Sequence, residues 1–216
     1  MTRRTIILGL TGSIGMGKST ASAMLCRMGL PVHDADAAVH ALFAPGGDAV
    51  APVEAAFPGV VRDGAVDRTE LGKRVFGDDA ALKRLESIVH PLVRRKDADF
   101  RRRMARRRVP IAVLDVPLLF EGGGWRNCDA TVVISAPAFL QAARVMARPG
   151  MTARRLADIR ARQMEDWLKR RLADYVVPSG LGRHATWMGL RAIVRDIRRN
   201  GPPRRRPVPR HLLRHA

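Results

Sequence analysis

Residues Gly9-Leu-Thr-Gly12-Ser-Ile-Gly15-Met-Gly17-Lys18-Ser19-Thr20 decide how the rest of the chain is read. Gly12 to Ser19 matches the spacing G-x-x-x-x-G-K-[ST] in full, a pattern that requires a strand before it and a helix after it. Both are legible. Thr5 to Leu10 reads as an apolar strand, and Ala21, Met24, Leu25 and Met28 recur at helical spacing over a helix from about Gly17 to Met28. Gly29 suits the end of that helix, and Pro31 stops its continuation. The chemistry implied is phosphate binding. Gly12, Gly15 and Gly17 allow turns and a close backbone approach that a Cβ would block, while Ser13, Ile14, Met16 and Thr20 complete the cradle. Amides at the helix start meet an anion with the positive end of the dipole. Lys18 reaches the outer phosphates of a nucleoside triphosphate, and the Ser19 hydroxyl can enter the shell of a Mg²⁺ ion that otherwise holds water and phosphate oxygens. A Gly-rich turn that binds nothing would not call for Lys and Ser directly after the last Gly.

Outward from this loop, strands and helices alternate, which implies a parallel sheet covered on both faces. A second strand near Leu30 to His33 leads to Asp34-Ala-Asp36, and Val39, Leu42 and Phe43 mark a short helix before Pro45-Gly-Gly. Residues from about 65 to 108 read as wholly helical. Asp67-Arg-Thr-Glu70 opens one helix as a capping box, and Leu82, Leu85, Ile88, Val89, Leu92 and Val93 form one face of a longer one. Pro91 lies within that face and is expected to bend or interrupt it, because it lacks an amide hydrogen. Ile111 to Val116, Ala130 to Ile134 and Asp174 to Val177 are the remaining strands, with an Arg-rich helical stretch from Pro137 to Ala173. A last helix puts Trp187, Leu190, Val194 and Ile197 on one face. The expected architecture is α/β: a P-loop NTPase three-layer sandwich with about five parallel strands, a helical acceptor-binding subdomain and a helical lid. Residues 1–200 make one domain (core 1–58, 109–136 and 173–200; helical substrate subdomain 59–108; lid 137–172), followed by an Arg/Pro-rich tail, 201–216, expected to be disordered or weakly docked.

With 216 residues and 46% hydrophobic content the chain can bury one sizeable core. Lys+Arg 39 against Asp+Glu 20 gives a formal net charge of +19, which suits anionic partners. The excess is concentrated. Arg94 to Arg108 holds nine basic residues against Asp97 and Asp99, and Ile197 to Ala216 holds seven Arg and no acid, so the two stretches carry 14 of the 19 charges. Aromatics are only 5%, and none interleaves with the tail's arginines, so no dedicated nucleic-acid partner is expected. Two cysteines, Cys26 and Cys128, make no disulfide framework and are read as reduced. No stretch approaches the ~18 apolar residues of a membrane span, and no membrane association is expected. The expectation is a cytoplasmic protein, a monomer or weak homo-oligomer.

A triphosphate loop leaves the reaction open. A GTPase switch would carry Asn-Lys-x-Asp and Asp-x-x-Gly, and neither occurs in the chain. A motor ATPase places an acid at a strand end. Asp115 lies in such a strand, but Pro117-Leu-Leu-Phe-Glu121 follows and reads as a pocket wall. A small-molecule kinase accounts best for the short chain, the helical insertion and the Arg-rich segment where a lid would be. Two alternatives stand beside it: a nucleoside monophosphate-like kinase and a basic nucleic-acid-binding NTPase.

The chain resembles the dephospho-coenzyme A kinase family from Ile6 to about Gly180. Gly9 to Thr20 is similar to that family's loop, Asp34-Ala-Asp-Ala-Ala-Val-His40 to its Asp-Ala-Asp element, and Ile88-Val-His-Pro-Leu92 to its His-Pro motif. Asp115-Val-Pro-Leu-Leu-Phe-Glu121 resembles its strand end, Arg144 to Gln163 its lid, and Ala173-Asp-Tyr-Val-Val177 its last strand. The loop alone is shared by many families; the other elements in this order are far more specific. The resemblance implies ATP and Mg²⁺ as cofactors, 3′-dephospho-coenzyme A as the small-molecule partner, and phosphorylation of its ribose 3′-hydroxyl in the last step of coenzyme A synthesis. It implies Asp36 as the carboxylate that orients or deprotonates that hydroxyl, with Asp34 behind it; both would serve otherwise as helix caps. Arg144 and Arg148 match lid arginines over the phosphates, or else are solvated. His90 and Pro91 match an acceptor motif, although a helical His is often a packing or capping residue. Leu118, Leu119, Phe120 and Glu121 would wall the acceptor pocket, and by composition are equally core. His40, on the same helical face as Asp36, is either a substrate contact or a surface His.

Three positions depart from the family pattern. Ser13 stands where Gly is usual, Met16 where Ser is usual, and Pro178-Ser-Gly replaces an Asn-containing turn. The first two are not fixed positions of the loop motif. The third removes the basis for carrying over an adenine contact.

Overall fold

The computed structural model describes residues 4–203. In chain order, β1 (Ile6–Thr11) runs through a loop into α1 (Lys18–Arg27), followed by β2 (Val32–Asp34), α2 (Ala35–Phe43) and α3 (Val50–Ala56). A hairpin of β3 (Val61–Arg62) and β4 (Ala65–Val66) precedes α4 (Arg68–Val75) and the long α5 (Asp79–Arg106). Then come β5 (Ile111–Asp115), β6 (Ala130–Ser135), three helices α6 (Ala138–Met146), α7 (Ala153–Ala161) and α8 (Asp166–Leu172), and finally β7 (Tyr175–Pro178) and α9 (Arg183–Asn200). Two compact units result: the described part of Met1–His33 with Met104–Ala216, and Asp34–Arg103.

The first unit is built on a five-stranded parallel sheet in the order β2-β5-β1-β6-β7. β1 is central, with Leu8 opposite Val113 of β5 on one side and Ala130 of β6 on the other. Both neighbours cover its edges, so its residues from Ile7 to Thr11 are buried and its sequence reads as one apolar run. Side chains alternate across the sheet. Val132 and Ile134 join Leu8, Leu10, Leu25, Leu190 and Ile197 in the core beneath α1 and α9. Val133 points the opposite way, to Phe120, Met164 and Leu168. The apolar face expected of the last helix is realised: Leu190, Val194 and Ile197 are buried on α9. The chain leaves β1 toward one edge and returns to β6 on the other, which makes the carboxyl end of β1 the switch point at which open α/β sheets bind their ligands.

The second unit has its own core of Leu42, Phe43, Val53, Phe57, Val60, Leu71 and Val89. It takes in α2 and α3 as well as the stretch expected to be the helical subdomain. The expectation of wholly helical chain from about residue 65 is corrected by the hairpin. Asp63 (φ 48) and Gly64 (φ 75) form the two-residue left-handed turn that joins β3 to β4. Glu54 braces its approach, accepting from the amides of Gly59 (2.7 Å) and Val61 (2.9 Å). Asp67 caps α4 by accepting from Thr69 and Glu70, while Glu70 pairs with Lys73 (2.6 Å). The expected interruption at Pro91 is also corrected: α5 runs unbroken through it for 28 residues. Leu85, Ile88, Val89, Leu92 and Val93 pack on one core from both sides of the proline, so burial offsets the single hydrogen bond that its missing amide forfeits.

No helix among the described residues is long and apolar enough to cross a membrane. From residue 204 onward, the expected Arg/Pro-rich tail lies outside the described residues.

Candidate active site

The loop between β1 and α1 takes its shape from backbone conformations that glycine favours. Gly15 and Gly17 have φ of 75 and 92, and a Cβ at Gly12 would lie 2.8 Å from the Ile134 carbonyl. At the root of the loop, Thr11 Oγ1 donates to the Pro117 carbonyl at 2.9 Å. Gly17 is the N-cap of α1, with no side-chain cap and no acid in the first turn. The helix therefore presents its first amides and positive dipole end to whatever the loop encloses. Ser19 and Thr20 are exposed at this helix start.

Lys18 Nζ lies 2.7 Å from Asp115 Oδ1, with the two side chains 14% and 2% exposed. Asp115 is the last residue of β5, the strand beside β1, so the sheet register brings the pair together. Two charges this far out of water require each other. The sequence places Asp115 inside a strand expected to run to Val116, and the reading of Pro117 to Glu121 as a pocket wall leaves it no role there. The signal was there, an acid terminating a buried apolar strand.

Side chains from beyond the loop brace it. Arg144 Nη1 donates to Ser179 Oγ (3.0 Å) and toward the Gly15 carbonyl (3.4 Å), and Nη2 donates to the Ser179 carbonyl (2.9 Å). Ser179 Oγ donates in turn to the Met16 carbonyl at 2.6 Å. Met16 is buried, and its sulfur accepts from the Ala136 amide. Thus Ser179, in the turn that departs from the family pattern, still ties the last strand to the loop. Gln141 and Gln163 hold Ile14. Gln141, Gln163, Ser179 and Lys169 were not foreseen, since nothing local in sequence marks a residue that reaches the loop only through the fold.

The other expected site residues divide between the units. Leu119 and Phe120 are each 1% exposed and belong to the core rather than to an open wall; Leu118, at 45%, is exposed. The reason is the turn after β5, which tucks Phe120 against Val133, Met164 and Leu168. Glu121 accepts from the Met164 amide and pairs with Lys169 Nζ, both at 2.8 Å. Arg148 is exposed and follows α6, which ends at Met146. In the second unit, Asp34 is the N-cap of α2, accepting from the Ala37 amide at 3.0 Å. Asp36 sits exposed in the first turn, so the cap is Asp34 and not Asp36. Both ring nitrogens of His40 lie within reach of Arg68 Nη1, at 2.7 and 3.2 Å. His90 and Pro91 are exposed on α5. Among the described residues, no three His, Cys, Asp or Glu side chains gather as a metal site.

Comparison with known proteins follows the same line. The sequence profile of the family described as dephospho-CoA kinase matches residues 6–181. A dephospho-CoA kinase of Paramagnetospirillum magneticum is 71% identical over 164 residues, 76% of this chain and 77% of the relative. That of Rhodospirillum rubrum is 55% identical over 98% of this chain and 100% of its own. Among solved structures, a Thermus thermophilus protein superposes with a TM-score of 0.78 at 34% identity, covering 90% of this chain and 98% of that one.

Proposed function

The chain belongs to the dephospho-CoA kinase family, and from that membership we propose that residues 12–20, Asp115 and Asp36 carry the phosphorylation of dephospho-CoA by ATP. The reaction transfers the γ-phosphoryl group of ATP to the ribose 3′-hydroxyl and yields coenzyme A and ADP. The hydroxyl oxygen forms a bond to the γ-phosphorus, the bond to the β–γ bridging oxygen breaks, and the hydroxyl proton must go to a base. A sugar hydroxyl is a poor nucleophile, so a carboxylate that aligns it and takes its proton is required.

Asp36 is the carboxylate proposed for that step. Asp34 already spends an oxygen on the α2 amide at Ala37, which leaves Asp36 as the acid of the pair not committed to capping. The loop amides and the start of α1 would hold the β- and γ-phosphates. Lys18, kept in place by Asp115, would neutralise charge that develops on the transferred group. Arg144 has donors beyond those given to Ser179 and Gly15, since a guanidinium carries five N–H groups, and these would serve the same charge, with Arg148 from the adjoining turn. The exposed Ser19 hydroxyl, one residue after Lys18, suits a Mg²⁺ ion held chiefly by substrate phosphates; bound there, the ion would supply charge neutralisation. His40, His90 and Pro91 are proposed on the acceptor side, with Leu118 as the exposed residue of its strand-end motif. Leu119, Phe120 and Glu121 would act there only as support from the core.

The observation that carries the reading is the uncapped start of α1 behind Gly15 and Gly17, with Lys18 clamped to a buried carboxylate. A coupled assay of ADP release tests it, with dephospho-CoA set against nucleoside monophosphates and shikimate. ADP release with dephospho-CoA alone is expected, together with a product heavier by one phosphoryl group. Turnover with a nucleoside monophosphate alone would overturn the assignment.

A further inference from the structure

Ile14 stands at the tip of the phosphate loop, and glutamine side chains from outside the loop hold both its polar backbone groups. Its N–H donates to Gln163 Oε1 at 3.1 Å, and its carbonyl accepts from Gln141 Nε2 at 2.8 Å. Gln141 cannot turn end for end. Arg160 donates to its Oε1 from Nε (3.1 Å) and Nη2 (2.6 Å). A guanidinium offers only donors, so the amide NH₂ of Gln141 must face Ile14. At 5% exposure Gln141 has little water to replace a lost partner.

Gln163 is mounted as firmly. The next residue, Met164, donates its amide to Glu121 Oε1, and that same oxygen takes Lys169 Nζ, each at 2.8 Å. Lys169 is 0% exposed, so Glu121 cannot withdraw without stranding a buried cation. The backbone beside Gln163 is therefore tied to the turn after β5, and its side chain reaches the loop from a rigid base.

We propose that Gln141 and Gln163 form a clamp on the two peptide groups flanking Ile14 that sets the shape of the phosphate loop for ATP. They are positioning residues, with Arg160 and the Glu121–Lys169 pair as their mounts. The inference rests on the loop being the ATP site. A loop braced in its binding shape loses less conformational freedom when the triphosphate arrives, and that difference appears as affinity. Loss of the clamp therefore weakens ATP without touching the acceptor.

The test is titration of Mg·ATP into the full chain, with the KM for dephospho-CoA and thermal melts alongside. Gln163→Met removes the acceptor for the Ile14 amide. Gln141→Glu keeps a partner for Arg160 but removes the donor to the Ile14 carbonyl. Gln163→Met is expected to weaken ATP about fivefold, the scale of one neutral hydrogen bond, and Gln141→Glu by more, because its carboxylate also adds negative charge beside the loop, with the KM for dephospho-CoA unchanged in both. Combined, they should lose less than the product of the two, because both hold the same residue, Ile14, through its two flanking peptide units. If Gln141→Glu does not fold, Gln163→Met alone decides. Wild-type affinity for ATP in the variants, or equal losses toward both substrates, overturns the clamp. A wild-type chain that binds no ATP overturns the reading of the loop itself, and the clamp with it.

Discussion

Asp34 and Asp36 lie two residues apart, and only one of them faces the free amides of its helix. Asp34 accepts from Ala37 and closes the start of α2. Asp36 keeps its carboxylate exposed. Asp36→Ala is accordingly expected to lower kcat ~10²-fold or more, the scale of a lost general base, with ATP affinity near normal; steady-state kinetics and an ATP titration check both halves. Lys18 and Asp115 are bound by the opposite logic. With Asp115 almost wholly buried, Lys18→Met removes the cation that balances its carboxylate and should cost about 3–5 kcal/mol of stability. Adding Asp115→Asn should restore most of that stability in urea denaturation and none of the turnover. A double variant as unstable as Lys18→Met would mean that the pair is not coupled.

At the scale of elements, α5 shows packing overriding local chemistry. A proline in a helix interior costs about 3 kcal/mol, part of which it returns by stiffening the unfolded chain. Pro91→Ala should therefore stabilise the protein by about 1–2 kcal/mol in chemical denaturation, a net of those same two effects. The β3–β4 hairpin carries a pH dependence. Backbone hydrogen bonds, first from Gly59, hold the Glu54 carboxyl below its ordinary value of 4.5, and the amide of Glu70 does the same most strongly for Asp67. A carboxyl with a lowered folded pKa leaves the unfolded chain holding more protons over that interval, so stability rises with pH there. The contribution is complete above 4.5 for Glu54 and disappears as pH falls through the folded value. Thermal melts between neutral and strongly acidic pH should show Glu54→Gln with a shallower acid loss than wild type. Parallel curves would remove Glu54 from the account.

Across the whole molecule, the +19 charge meets two anionic substrates. Raising ionic strength from about 0.01 to 0.15 M shortens the screening length from about 30 to 8 Å, so kcat/KM should fall across that range while kcat stays level. Deleting residues 201–216 should leave turnover near normal, because the loop, Asp115 and Asp36 all precede them; loss of turnover would give the tail a role in the reaction. How much was legible differs by the range of the interactions involved. The G-x-x-x-x-G-K-S spacing between an apolar strand and a helical face specified the loop, and apolar runs such as Ile111 to Leu114 specified a buried parallel sheet, because both rest on neighbours within a turn or two. Asp63-Gly64 is a local signal of the same kind, an Asp-Gly pair that favours a two-residue hairpin turn. Asp115 beneath Lys18, Gln141 and Gln163 on Ile14, and Lys169 under Glu121 belong to another category. Each pairs residues separated by 48 to 149 positions, and no periodicity or spacing encodes which side chain a folded sheet and three short helices will bring to a given backbone atom. Residue order along the chain was enough for the loop and the strands, whereas the partners that hold the loop depend on sheet register and helix packing, which exist only once the chain has closed on itself.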